Sequence, residues 1–205
     1  RRLELVNYSA AHGSLVIEDD FENEFVYLQK PTPSLFGLAG GQNVVYLGTF
    51  SRLLLPSIRI SFMVLPPELS ALYRKKADQY NQTASKAEQI ALCQFIRDGH
   101  LAAQTRKLKR LYSVKLKALR SAVREVFGKD SQIQTGAAGT SLALTLSTTL
   151  TWQELQKKAQ TNGLRLQLLR EAPGKITLIL SCSSMPVADF VPACKLLKDI
   201  SQIQN

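Results

Sequence analysis

After Gly99 the residues Leu101, Leu108, Leu111, Tyr112, Leu116, Leu119, Val123 and Val126 recur at helical spacing, and neither glycine nor proline interrupts them before Gly128. One amphipathic helix of that length is a rod of about 40 Å at 1.5 Å per residue, longer than a small domain is wide. It cannot be buried inside one core. Helices of this kind often tie one subdomain to another, and 205 residues are enough to give each part a core.

The two sides of the rod follow different rules. Before it, Leu3 to His12 reads as a helix that stops at Gly13. Ser14 to Ile17, Asn43 to Leu47 and Arg59 to Leu65 read as buried strands rich in Val, Ile and Phe. The stretch from Lys30 to Gly41, with Pro31, Pro33, Gly40 and Gly41, reads as loop. Pro66-Pro67 ends the last strand and opens helical sequence that runs from Glu68 with breaks near Asn81 to Ser85 and at Gly99. Beyond Gly128, Ser131 to Gln134 and Thr140 to Leu146 alternate with period two, as strands with one buried face do. Thr151, with Glu154 three residues on, predicts a capped helix from Trp152 to Thr161. Strands over Leu164–Leu169 and Lys175–Leu180 follow, then a helix from Val187 to Ile200. The expectation is an α/β chain in three parts: residues 1–98, a connecting helix 99–128, and an α+β unit 129–205.

Charge is not spread evenly. The net charge is +10, and between Tyr73 and Lys129 there are 14 Lys and Arg against 4 Asp and Glu, which leaves 12 of each elsewhere. Arg106, Arg110, Lys117 and Arg124, spaced by 4, 7 and 7, fall along one helical side. A solvated helix face accounts for such a stripe, and so does a surface for nucleic acid or another acidic partner. No aromatic residues interleave with it to form a stacking platform.

Cys93, Cys182 and Cys194 are odd in number and far apart, and His12 and His100 stand alone. Reduced thiols and no metal site are expected. No apolar run approaches the roughly 20 residues that span a bilayer, and Arg1-Arg2-Leu3-Glu4 has no apolar signal core. The expectation is a cytoplasmic protein without a membrane partner.

Chemistry concentrates at the ends of the early strands. Glu18-Asp19-Asp20 closes the first, and ligands of open α/β sheets sit at the carboxyl ends of strands. Gly48-Thr49-Phe50-Ser51-Arg52 closes the second, with Arg59 before the third. Two readings fit. These are polar strand ends, or they form an anion socket in which hydroxyls and a forked guanidinium hold a phosphate while an aspartate meets a protonated ring nitrogen. The second describes pyridoxal 5'-phosphate (PLP).

Arg2-Leu3-Glu4-Leu5, followed by Ile17-Glu18-Asp19-Asp20-Phe21-Glu22-Asn23-Glu24-Phe25, resembles the signature of MocR-type regulators. These fuse a GntR-type winged helix to an aminotransferase-like domain of PLP fold type I. Val45 to Ser51, Pro56-Ser57-Ile58-Arg59, Val64 to Leu69, Gly136 to Gly139 and Leu178 to Met185 are similar to further landmarks of that domain. The resemblance implies part of the large-domain sheet, a connecting helix and the small C-terminal domain, corresponding to the second half of the aminotransferase-like domain. Its cofactor would be PLP, its effector an amino acid or PLP itself, and its assembly a homodimer. DNA would be read only by a winged-helix domain absent from this sequence.

Carried onto these positions, the resemblance implies that Asp19 meets the pyridine nitrogen, and that Arg59 binds the phosphate with Ser51 and Thr49. Phe21 stands where the family has a tyrosine that bonds the ring oxygen. Arg52 stands where the family has the Schiff-base lysine. A guanidinium stays protonated where a desolvated lysine amine releases its proton, so no catalytic residue is assigned and PLP is expected to bind non-covalently at best. Leu178 to Cys182 also lacks the arginine that often holds a substrate carboxylate in the family. The expected function is a PLP-binding effector domain without transaminase activity, the alternative being a class I aminotransferase acting on an amino acid.

Overall fold

The computed structural model describes residues 1–20, 32–128, 131–135 and 139–201. The chain divides into two compact units, one holding the described residues up to Lys107 and the other those from Leu108 onward. Phe21 and residues 136–138 lie outside the described residues.

The first unit opens with α1 (Arg2–Ala11), which ends at His12 as Gly13 turns to φ +58°. β1 (Val16–Asp19) pairs in parallel with β2 (Val44–Thr49), and β3 (Ser61–Val64) adds antiparallel to β2, giving the order β1-β2-β3. Between β1 and β2 lies a short helix, α2 (Leu35–Leu38), where the sequence reads as loop; Ser34 caps it by accepting from Gly37 N–H at 3.0 Å. α3 (Pro67–Lys76) begins after Pro66, whose extended backbone suits a helix start. α4 (Lys86–Arg97) is capped by Ser85. Val44 and Val45 are buried, but all four residues of β3 are exposed, which corrects the expectation of a third buried strand. The apolar run Phe62-Met63-Val64 fixes the strand, while burial depends on what packs against it.

α5 (His100–Phe127) is a single helix, and Gly99 at φ +77° separates it from α4. Its second half belongs to the second unit, where Leu116, Leu119, Ala122 and Val123 enter the core at i, i+3, i+6 and i+7. β4 (Gln132–Thr135), β5 (Ser141–Ser147), β6 (Gln167–Ala172) and β7 (Lys175–Ser181) form an antiparallel sheet in the order β4-β5-β7-β6. Leu142, Leu144 and Leu146 of β5 and Ile176 and Leu178 of β7 turn inward with period two. α6 (Trp152–Thr161) and α7 (Phe190–Ser201) supply Leu155, Phe190, Cys194 and Leu197 to the same cluster. The Thr151–Glu154 capping box forms as the sequence predicts. β6 begins three residues later than expected, because Leu164 and Leu166 pack on the core before the ladder starts.

Candidate functional site

β1 and β2 run parallel with Asp19 opposite Leu47, so both carboxyl ends open on one edge of the sheet. β3 runs the other way with Ser61 opposite Thr49, so it starts at that edge. The topology therefore gathers Asp19, the Phe50–Ile60 connection and Arg59 at one end of three strands. From strand spacing, the Cα atoms of Asp19 and Thr49 lie roughly 8 Å apart.

Alternation sorts the three acids. Glu18 faces inward and is 9% exposed. Its Oε1 accepts from Leu35 N–H at 2.9 Å and from Arg2 Nη1 at 3.2 Å, and its Oε2 accepts from Phe36 N–H at 3.1 Å. Glu18 is thus a structural anion at the start of α2. Asp20 continues the ladder, its N–H donating to Leu47 O at 3.1 Å, and its Oδ2 accepts from the Tyr46 hydroxyl at 2.7 Å. Asp19 is the exposed member and takes the opposite face from Glu18.

The turn after β2 is closed by Phe50 N–H donating to Ile60 O at 3.1 Å. Thr49 helps hold it, because its Oγ1 accepts from Ser51 N–H at 3.2 Å and donates weakly to Ile60 O at 3.5 Å. Ser51 and Arg52 are half-buried in this turn, and Arg59 is exposed. Arg59 has φ +47° and ψ +32°, a left-handed conformation that costs a residue with a Cβ about 1–2 kcal/mol. Asn43 is the other described non-glycine residue at positive φ, and asparagine tolerates that region. An arginine held there is strain at a strand end of the kind that collects at functional sites.

Gly48 marks a close approach. A Cβ at this position would press on the tip of the ring of Phe62, its partner across the β2–β3 ladder, which would have to move. That ring lies 5.3 Å from Phe50 and 6.2 Å from Tyr46, so three aromatics share the face from which Tyr46 reaches Asp20. The sequence alone assigns no separate role to Glu18, Tyr46 or Phe62. Alternation along Glu18-Asp19-Asp20 was the available signal for the first.

An open cavity of about 1470 Å³ in this unit is lined by Asp19 and Thr49 together with Phe62, Tyr73, Leu92 and Ile96, among others. Among the described residues, Ser51, Arg52 and Arg59 are not in that lining. The structure brings Asp19 and Thr49 to one cavity, and places the other three beside it in the turn. No group of three or more His, Cys, Asp or Glu side chains among the described residues is placed to hold a metal ion. No helix among them is long and apolar enough to cross a membrane.

The fold and the sequence have known counterparts. No protein-family model matches the chain. The HTH-type transcriptional regulator YdeL of Bacillus subtilis is 32% identical over 202 residues, which is 97% of this chain and 44% of YdeL. YhdI of the same organism is 37% identical over 81% of this chain and 35% of its own length. The probable rhizopine catabolism regulatory protein MocR of Rhizobium meliloti is 30% identical over 82% of this chain and 34% of its own length. In the solved structures, a multiple substrate aminotransferase from Thermococcus profundus matches with a TM-score of 0.81 at 21% identity, over 98% of this chain and 51% of that one. An α-aminoadipate aminotransferase from Thermus thermophilus, complexed with N-(5'-phosphopyridoxyl)-L-leucine, matches with a TM-score of 0.77 at 24% identity, over 98% of this chain and 53% of that one. The chain spans about half the length of these proteins or less. With regulator relatives along its length and the α/β fold of the PLP-dependent aminotransferases throughout, the chain belongs to the MocR-type, GntR-related regulators and represents their aminotransferase-like part.

Proposed function

We infer that this chain contributes one wall of a PLP site that senses a ligand and does not turn it over. The observation that carries the reading is the convergence of the exposed Asp19 carboxylate and the left-handed Arg59 at one end of three strands. These residues fit the group. PLP presents a protonatable ring nitrogen and a dianionic phosphate, and when bound it supplies an aldehyde and an electron-accepting ring. Asp19 would hold the ring-nitrogen proton. Arg59 would bind the phosphate through charge-assisted bonds, and Ser51 and Thr49 would offer hydroxyls to it. Arg52 adds a fixed positive charge at the position of the Schiff-base lysine, but no amine that can lose its proton and form the covalent link. By the resemblance Phe21 stands where the family has a tyrosine, and a phenylalanine has no hydroxyl to offer the ring oxygen.

In this reading residues 1–98 complete a large domain, 99–128 connect, and 129–205 form the small domain. The intact protein is a homodimer in which PLP or an amino acid favours one arrangement of paired domains and so alters DNA binding by a separate winged helix. Transamination is the weaker reading, because Arg52 removes both the attachment point and the proton carrier.

Equilibrium dialysis of PLP against the chain tests this. Saturable binding is expected, with no adduct fixed at this pocket by borohydride. Asp19→Asn and Arg59→Ala should each weaken binding by about 10- to 100-fold, the range for losing one charge-assisted contact. A borohydride-stable PLP adduct on a pocket residue would overturn the non-covalent assignment, and unchanged affinity in both variants would overturn the site. Amino-acid turnover by the unaltered chain would decide for the enzyme.

A further inference from the structure

We propose that the cationic face of the second half of α5 is a docking track for the phosphate backbone of duplex DNA, used without reading bases. Arg110, Lys117, Arg120 and Arg124 are all exposed. At 100° per residue they fall within an arc of about 80°, and at 1.5 Å per residue they span about 21 Å along the axis. The opposite side carries Leu116, Leu119, Ala122 and Val123 into the core of the same unit, so the helix cannot roll and the charged side is fixed outward. At 3.4 Å per base pair along each strand, 21 Å passes about six phosphates.

Among the described residues the charges are uncompensated, and none of the four takes part in a salt bridge. The sole acid of α5, Glu125, lies about 60–100° round the helix from Arg110, Lys117 and Arg124, beside the row. Lys117 and Arg120 are three residues apart, and Arg120 and Arg124 four, which are spacings at which like charges on a helix repel. A merely solvated face gains from alternating signs at these positions, whereas a face for a polyanion gains from a single sign. The sequence leaves both readings open. The fixed, unpaired row decides for the polyanion, and duplex DNA is the polyanion chosen because the inference rests on the regulator reading above.

Fluorescence anisotropy of a 20-base-pair duplex with the 205-residue chain tests it. Four phosphate contacts give a slope of about −3.6 for log affinity against log salt, or roughly 150-fold weaker binding at 200 mM than at 50 mM. The variant Arg110→Gln/Lys117→Gln/Arg120→Gln/Arg124→Gln should lose most of that slope. The control Arg74→Gln/Lys75→Gln/Lys76→Gln/Lys86→Gln removes the same charge from exposed positions elsewhere and should keep it. Circular dichroism checks that both variants fold. No duplex binding by the parent at 50 mM salt, equal weakening in both variants, or tighter binding of single-stranded RNA of equal charge would each overturn the proposal. PLP dialysis on the α5 variant should match the parent, so failure of the PLP site and failure of the DNA track read out separately.

Discussion

Replacing Glu18 with alanine removes the acceptor for two amides at the start of α2, and the cost can be worked from its contacts. Leu35 N–H donates to Oε1 in a buried setting and Phe36 N–H donates to Oε2 where part of the surface is open. Bonds to a charged group are worth about 1.5–3 kcal/mol each, and an amide orphaned in the interior sits at the upper end. The Arg2 contact adds little, because that guanidinium is 48% exposed and solvent screens it. Glu18→Ala should therefore cost about 3–5 kcal/mol in the first unit. Glu18→Gln keeps one oxygen but turns an NH₂ toward the other amide, for about 1–2 kcal/mol, and Arg2→Ala should cost less than about 1 kcal/mol. Amide hydrogen exchange at Leu35 and Phe36 is the assay, since Trp152, the single tryptophan, lies in the other unit and does not report on α2. Where exchange follows the same opening, about 3 kcal/mol appears as roughly 100-fold lost protection. A loss below about 1 kcal/mol for Glu18→Ala would refute the capping argument. Arg2→Ala as costly as Glu18→Ala would show instead that the ion pair holds the end of β1.

Arg59→Gly releases the left-handed strain and should leave stability unchanged or raise it by up to about 1 kcal/mol, while PLP affinity falls as in Arg59→Ala; a stability loss in urea unfolding would remove strain from the argument. Leu178→Ala, at a fully buried position, should cost about 2–5 kcal/mol, read by Trp152 fluorescence in the unit that holds both residues. A thiol reagent near neutral pH should modify the exposed Cys93 quickly and the buried Cys182 and Cys194 slowly, because burial raises both buried thiols, Cys194 to about 11. With its folded pKa raised, Cys194 contributes stability in full below its ordinary value of 9.0 and loses it as pH climbs toward about 11; Cys194→Ala should flatten that alkaline loss. Glu154 behaves oppositely. Hydrogen bonds from the Thr151 N–H and hydroxyl lower its pKa below 4.5, so its contribution is present above that value and drains as pH falls through the folded pKa. Glu154→Gln should flatten this acid limb.

The second unit was legible because each of its signals is local. Leu142-Ala143-Leu144-Thr145-Leu146 states its buried face by alternation, and Thr151 with Glu154 states a helix start within four residues. The first unit hides more. Leu35–Leu38 is too short to show a helical period, and the Pro31-Thr32-Pro33 that precedes it reads as loop. Phe62-Met63-Val64 has the composition of a core strand, yet Met63 is 60% exposed; composition specifies a strand, and burial is set by whatever lies against it.

At the strand ends, sequence could nominate residues but could not orient them. Which of Glu18, Asp19 and Asp20 faces the open edge follows from register, and register follows from the parallel pairing with β2 across a long connection. Once that is fixed, the three carboxylates have three duties: Glu18 anchors α2, Asp20 accepts from Tyr46, and Asp19 alone is left at the surface. Arg52 divides the remaining chemistry in the same way. On the proposed reading, phosphate recognition is electrostatic, and an arginine preserves its sign. Covalent attachment needs a nitrogen that gives up a proton, and an arginine abolishes it. Binding and chemistry, which lysine would couple at this turn, become separable properties. Arg52→Lys probes that separation from the side of attachment, and Arg59→Gly probes it from the side of the phosphate.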